Sequence, residues 1–241
     1  MVTWYSISDK GGRPLNEDSV LCLNKKNVYL FSVADGLGGY KDSRIASTFV
    51  HEVIKQLFES EEVTDKFLPK CVEKCQKLLV DFKKENNIEG SYTTVVILVM
   101  NENYAQWCHI GDSRLYLFRD RKVLEQTADH SVPQMLVKAG MLDEKNIRKH
   151  PDRSKLLRAI GREKDGCMAE YSEIIHLNKD DKFLLCSDGF WEYVTEEQML
   201  QFQKGACDVK GWITEMEKEV RMAGDRESTD NYSAIGVWSG E

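Results

Sequence analysis

The sequence predicts an α+β layered fold, and three observations carry that expectation. Apolar runs of strand length recur from the first residues to the last. Four helical stripes interrupt them in groups instead of alternating strictly with them. Only four prolines occur, with no low-complexity linker and no internal repeat, so residues 1–241 read as one domain.

Taken in chain order, strands are expected over residues 2–7, 19–23 and 28–34. A helix follows in which Ile45, Phe49, Val53 and Leu57 recur at helical spacing, with Ala46, Val50, Ile54 and Phe58 widening the stripe. In a second helix Phe67, Cys71, Cys75, Leu78 and Phe82 do the same. Stripes this wide belong to helices lying on a sheet. Strands are then expected over residues 92–100, 105–110 and 115–119, with turns at Asn101-Glu102-Asn103 and Asp120-Arg121. The strands over 171–177 and 183–186 precede a helix opened by Thr195 and Gln198, which have capping-box spacing. Trp212, Ile213, Met216 and Val220 mark a fourth helix, and a strand over 232–238 closes the series.

Composition narrows the function. A net charge of −7 disfavours nucleic acid as a partner, because phosphate backbones call for a basic footprint. The longest apolar run, residues 95–100, has strand length and is too short for a membrane span. Residues 1–6 lack the blocks of a secretory leader. Seven cysteines at uneven spacing form no paired zinc motif, and Cys71 and Cys75 read as core; a reducing, cytoplasmic compartment fits.

The chemistry lies where apolar strands meet acids. Residues 31–34 run into Asp35-Gly36, 183–187 into Asp188-Gly189, and 108–111 into Asp112. In mirror image, Asp230-Asn231 and Glu17-Asp18 stand just before strands. Acids held at converging strand ends make an all-oxygen pocket, which hard divalent ions prefer. Glycine after the acid lets a backbone carbonyl join as ligand. Asp-Gly is equally a strong turn signal, so from the residues alone metal binding and ordinary turns stand about level.

The motifs resemble those of the type 2C metal-dependent protein phosphatases, in the family's order. They are Arg13-Pro14-Leu15-Asn16-Glu17-Asp18, Val33-Ala34-Asp35-Gly36-Leu37-Gly38-Gly39, Tyr92-Thr93-Thr94 and Gly111-Asp112-Ser113-Arg114-Leu115-Tyr116. Then come Thr127-Ala128-Asp129-His130-Ser131, Leu156-Leu157-Arg158-Ala159-Ile160-Gly161, Cys186-Ser187-Asp188-Gly189-Phe190-Trp191 and Thr229-Asp230-Asn231. The resemblance implies a four-layer α-β-β-α sandwich of two antiparallel sheets flanked by helices. The short chain, and a flap over about 131–155, resemble the bacterial branch.

The same resemblance implies hydrolysis of phosphoserine and phosphothreonine by water activated between two Mn²⁺ or Mg²⁺ ions. Asp35 bridges them, and Gly36 offers its carbonyl to the first. Asp188 and Asp230 hold the second, which Glu17 or Asp18 reaches directly or through water. Arg13 clamps the substrate phosphate, a task suited to a planar guanidinium. Asp112 is the main ligand of a third, weaker ion, with Ser154 as a second contact, and Asn231 supports the site by hydrogen bonding. His130 orders the turn into the flap, and His109 is read as a core histidine. Many members carry Met or His where Leu37 stands and His where Tyr40 stands, so without an imidazole leaving-group protonation falls to water at the metals. The implied partners are phosphorylated substrates of a serine/threonine kinase, met by a monomer without nucleic acid or membrane. The alternatives are a catalytically silent relative that binds phosphoproteins, which would not need the full ligand set, and a small-molecule phosphoesterase, for which no nucleotide-binding glycine loop speaks.

Overall fold

The computed structural model describes residues 1–37, 43–162, 168–223 and 229–240. Gly38, Gly39 and Tyr40 therefore lie outside the described residues.

Two antiparallel sheets form the centre. The first joins β1 (Val2–Asp9), β12 (Tyr232–Ser239), β11 (Lys182–Cys186), β7 (Arg114–Arg119) and β8 (Lys122–Gln126), in that order. The second runs β10 (Ile175–His176), β6 (Tyr104–Ile110), β5 (Val95–Met100), β3 (Val28–Leu37) and β2 (Asp18–Lys25). Two short strands lie beside it: β4 (Tyr92–Thr93) on β3 and β9 (Glu170–Tyr171) on β6.

Side-chain alternation along the strands builds three layers of core. Phe31, Val33, Val96 and Leu98 point inward from the second sheet, where they meet Leu115, Leu117, Phe183 and Leu185 of the first. Their neighbours Leu30, Ala34, Val95 and Ile97 point outward, onto α1 (Ser43–Ser60) and α2 (Phe67–Glu85). On the far side Tyr116, Phe118, Leu184 and Cys186 pack against α4 (Asp188–Trp191), α5 (Glu196–Gly205) and α6 (Val209–Ala223). The order is helix, sheet, sheet, helix, as expected. Central strands are apolar on both faces because each face is covered, which explains why 95–100 reads as an unbroken apolar run.

Several boundaries differ from the sequence reading. In α2 the buried ladder is Phe67, Cys71, Cys75 and Leu79; Leu78 is exposed, because strict spacing of four residues keeps the stripe on the sheet. The strand expected over 92–100 breaks at Thr94, whose N–H donates to the Asp35 carbonyl instead of continuing a ladder. That expected over 171–177 is two short strands, β9 and β10, both paired to β6. Strand β8 was not expected; its burial pattern is mixed, since it is a sheet edge. The capping box at Thr195 and Gln198 forms with both hydrogen bonds. Residues 131–155 hold α3 (Val132–Lys138) and a 3-10 turn over Glu144–Lys149. The ends of this segment are joined by the Val132 N–H donating to the Lys155 carbonyl, and by a bridge between Ser131 and Leu156. No helix among the described residues is long and apolar enough to cross a membrane.

Candidate metal centre

The acids singled out by the sequence come together. Asp18 begins β2 directly opposite Asp35 on β3. Asp188 opens α4 just past the end of β11, and Asp230 sits just before β12, the neighbour of β11 in the sheet. Asp112 occupies the turn between β6 and β7, which belong to different sheets. These elements deliver carboxylates within electrostatic reach of one another: Asp35 feels the charges of Asp18, Asp188, Asp112 and Asp230.

The backbone around them is held closely. The Asp35 N–H donates to Thr94 Oγ1 (3.1 Å), while the Asp35 carbonyl accepts from Thr93 Oγ1 (2.8 Å) and the Thr94 N–H. Gly36 pairs with Thr93 and donates its N–H to the Glu17 carbonyl. Ser187 Oγ donates to Asp18 Oδ2 at 2.7 Å. Asn231, 4% exposed, accepts from the Glu17 N–H at 2.8 Å, and its amide donates to the Lys10 and Leu15 carbonyls, both at 2.9 Å. One side chain thus fastens the loop that carries Arg13 and Glu17. Two glycines are obligatory here. Gly111 has φ +100° and faces the Thr94 side chain, and a Cβ on Gly189 would collide with the Asn231 carbonyl.

The electrostatics are those of crowded, desolvated acids. Burial, then the surrounding carboxylates, drives Asp35 and Asp188 well above the usual carboxylate range. Burial also lifts Asp18 to about 6, against hydrogen bonds from Ser187 and Ser233. Asp112 is lifted to about 8 by burial and by Asp129. Asp18 Oδ1 and Asp112 Oδ1 are buried with no hydrogen-bond partner among the described residues. Orphaned buried oxygens in an all-carboxylate pocket are unstable alone, and hard divalent cations would satisfy them. The residues present therefore fit metal ions.

Arg13 lies at the rim, its side chain 56% exposed, with Nη2 2.8 Å from Asp230 Oδ2. Ser154 is exposed and makes no hydrogen bond to Asp112 among the described residues. His109 is buried, its Nε2 2.8 Å from the Ala128 carbonyl, and burial drives its pKa down, in keeping with a core role.

Sequence reasoning did not single out the support beneath Asp112. Arg114 is fully buried, makes a two-pronged ion pair with Asp129 (2.8 Å each) and stacks on Trp191 at 3.5 Å. The Trp191 indole N–H in turn donates to the Asp112 carbonyl at 2.9 Å. The signal was present in the sequence: an arginine inside the apolar run of β7 needs a buried partner.

Fold and site together define a two-sheet sandwich with a buried carboxylate cluster whose donors fit divalent cations. Residues 10–224 match the family model described as Protein phosphatase 2C. The serine/threonine phosphatase stp of Listeria monocytogenes is 30% identical over 189 residues, covering 75% of this chain and 74% of that protein. PstP of Mycobacterium tuberculosis is 32% identical over 206 residues, 83% of this chain and 38% of that longer protein. Among solved structures, Stp1 of Staphylococcus aureus superposes with TM-score 0.88 at 28% identity, covering 100% of this chain and 96% of that one. The PstP catalytic domain in complex with two manganese ions shares the fold at TM-score 0.82 and 24% identity, covering 98% of this chain and 97% of that one. The chain belongs to the protein phosphatase 2C family, and its enzyme class is that of the metal-dependent protein phosphatases.

Proposed function

We propose that this chain hydrolyses phosphoserine and phosphothreonine in proteins, and that the carboxylate cluster is its active site. The observation that carries this reading is the convergence of Asp18, Asp35, Asp112, Asp188 and Asp230, with burial raising Asp18, Asp35, Asp112 and Asp188 above the usual carboxylate range.

Asp35 would bridge two Mn²⁺ or Mg²⁺ ions, with the Gly36 carbonyl on one and Asp188 and Asp230 on the other. Glu17 or Asp18 would complete the second site, and Asp112 would hold a third ion. When bound, the ions supply a nucleophile from water at neutral pH and stabilise charge on the transferring phosphoryl group. Arg13 binds the phosphate; its exposure, and Asp230 as its one hydrogen-bonded side-chain partner among the described residues, leave the guanidinium able to turn toward substrate. Asn231 and Ser187 act through the groups they orient, the 10–17 loop and Asp18. Leu37 offers no proton to the leaving group. The complete acid set favours an active enzyme over a silent phosphoprotein-binding relative.

By family analogy the reading extends to one catalytic domain spanning 1–241, with a flap at 131–155. The same analogy gives a cytoplasmic monomer acting on substrates of a serine/threonine kinase. The test is release of phosphate from a phosphothreonine peptide with Mn²⁺ and with chelator. Turnover that stops on chelation supports the reading; turnover that survives it contradicts it.

A further inference from the structure

Both roots of the 131–155 segment meet one carboxylate outside the metal centre. Glu170 lies on β9, at the margin of the second sheet. Its Oε1 is 3.2 Å from His130 Nε2, 3.6 Å from Arg158 Nη1 and 3.9 Å from Lys138 Nζ. His130 precedes the segment, Arg158 follows it, and Lys138 ends its helix α3. The two flanks of the segment and its helix thus converge on one oxygen of a strand that is not part of it.

The neighbouring hydrogen bonds assign the His130 proton. The Gly111 N–H donates to His130 Nδ1 at 3.2 Å, which leaves the hydrogen of a neutral ring on Nε2, toward Glu170; Arg158 Nη1, also 3.2 Å from Nε2, then finds its acceptors in the Met168 carbonyl and Glu170, not in the ring. Burial, with His109 stacked at 4.6 Å and the Arg158 guanidinium beside it, drives His130 down to about 4 and keeps it neutral. His109, His130 and Glu170 lie close enough together to suggest a metal site. The hydrogen bonds argue otherwise: metal on Nε2 would require the proton on Nδ1, where the Gly111 N–H already points. Arg158 and Lys138 also approach the same carboxylate. Glu170 is therefore occupied by the chain's own donors.

We propose that Glu170 is a positioning residue, a latch that holds the 131–155 segment where a bound phosphopeptide would pass. This rests on the function proposed above. The latch partners are partly exposed, with side-chain exposures of 44% for Glu170, 32% for Arg158 and 59% for Lys138, so each ion pair is weak. A weak, multipoint clasp can open without unfolding the sheets. It also reaches the metal centre. The His130 N–H donates to the Gly111 carbonyl at 2.9 Å, and its own carbonyl accepts from the Leu157 N–H at 2.7 Å. The residue next to Asp112 and the far root of the segment are thereby joined through His130.

The test compares wild type, Glu170→Gln and Glu170→Asp, using amide hydrogen exchange on the full chain and steady-state kinetics on two substrates. In Glu170→Gln, exchange over 131–157 should speed up about three- to fivefold, the factor a weak exposed ion pair is worth, with α6 unchanged. KM for a phosphothreonine peptide should rise by a similar factor, while kcat/KM for a small aryl phosphate stays within about twofold. Glu170→Asp, which keeps the charge, should recover part of both effects. Unchanged exchange over 131–157 overturns the latch. So does faster exchange with equal losses on both substrates. The exchange measurement needs no turnover, so failure of the latch and failure of the phosphatase reading are separately visible.

Discussion

Asp18 and Asp35 are a directly opposed pair on neighbouring antiparallel strands, and both carboxyls are raised above their ordinary range. Like charges directly opposite each other destabilise a sheet. This pairing therefore runs against folding unless protons or cations neutralise it.

Metal binding should release protons. Asp35 and Asp188 hold protons well above the usual carboxylate range, and Asp18 and Asp112 titrate near 6 and 8. At pH 6 a cation must displace more of these protons than at pH 8, where Asp18 has lost its own and Asp112 is losing its own. Apparent affinity for Mn²⁺ should fall about tenfold or more from pH 8 to pH 6. Calorimetry in two buffers of different ionisation enthalpy reads the proton count directly, and a count of zero at pH 6 would refute the shifts.

Asn231→Ala should unfasten the Arg13–Glu17 loop. The substitution strands the Glu17 N–H and the Lys10 and Leu15 carbonyls. About 2 kcal/mol of stability should be lost, read by urea denaturation, with turnover down about tenfold or more. Wild-type turnover in this variant would mean that the loop is held by other contacts.

Arg13→Ala should behave differently. The Arg13–Asp230 pair is more than half exposed on the arginine side, so stability should change by less than about 1 kcal/mol. The KM for a phosphopeptide should rise about tenfold, with a smaller fall in kcat. An unchanged KM would remove Arg13 from the phosphate site.

His51 gives a pH dependence of its own. It is buried between Ser19 Oγ (2.8 Å) and Ser32 Oγ (3.0 Å), and burial lowers its pKa to about 3. The unfolded chain binds that proton near 6.5 and the folded chain does not. Its contribution is thus intact above pH 6.5 and lost progressively as pH falls toward 3. Between pH 7.5 and pH 5 the loss should be about 2 kcal/mol. His51→Asn should flatten that part of the stability curve relative to wild type; identical slopes would contradict it.

The layered fold was legible because the periodicities of α1, α2 and α6 and of the central strands are long and consistent. The strand-end acids were legible as positions, but their convergence was not. Asp112 sits in the turn between β6 and β7 and Asp35 within β3, and only the packing of the two sheets brings them together. Arg114 and Trp191 escaped for the same reason, since nothing local ties an arginine in β7 to a tryptophan in α4. Glu170 escaped because its three donors span residues 130–158 and are gathered only when the segment folds back.

The central claim is that these acids form one shared metal site with Asp35 as its hub. Titration calorimetry of Mn²⁺ into wild type, Asp35→Asn and Asp112→Ala tests it most directly. Wild type should bind two tight ions, Asp35→Asn neither, and Asp112→Ala both. Two ions bound to Asp35→Asn with unchanged affinity would contradict it.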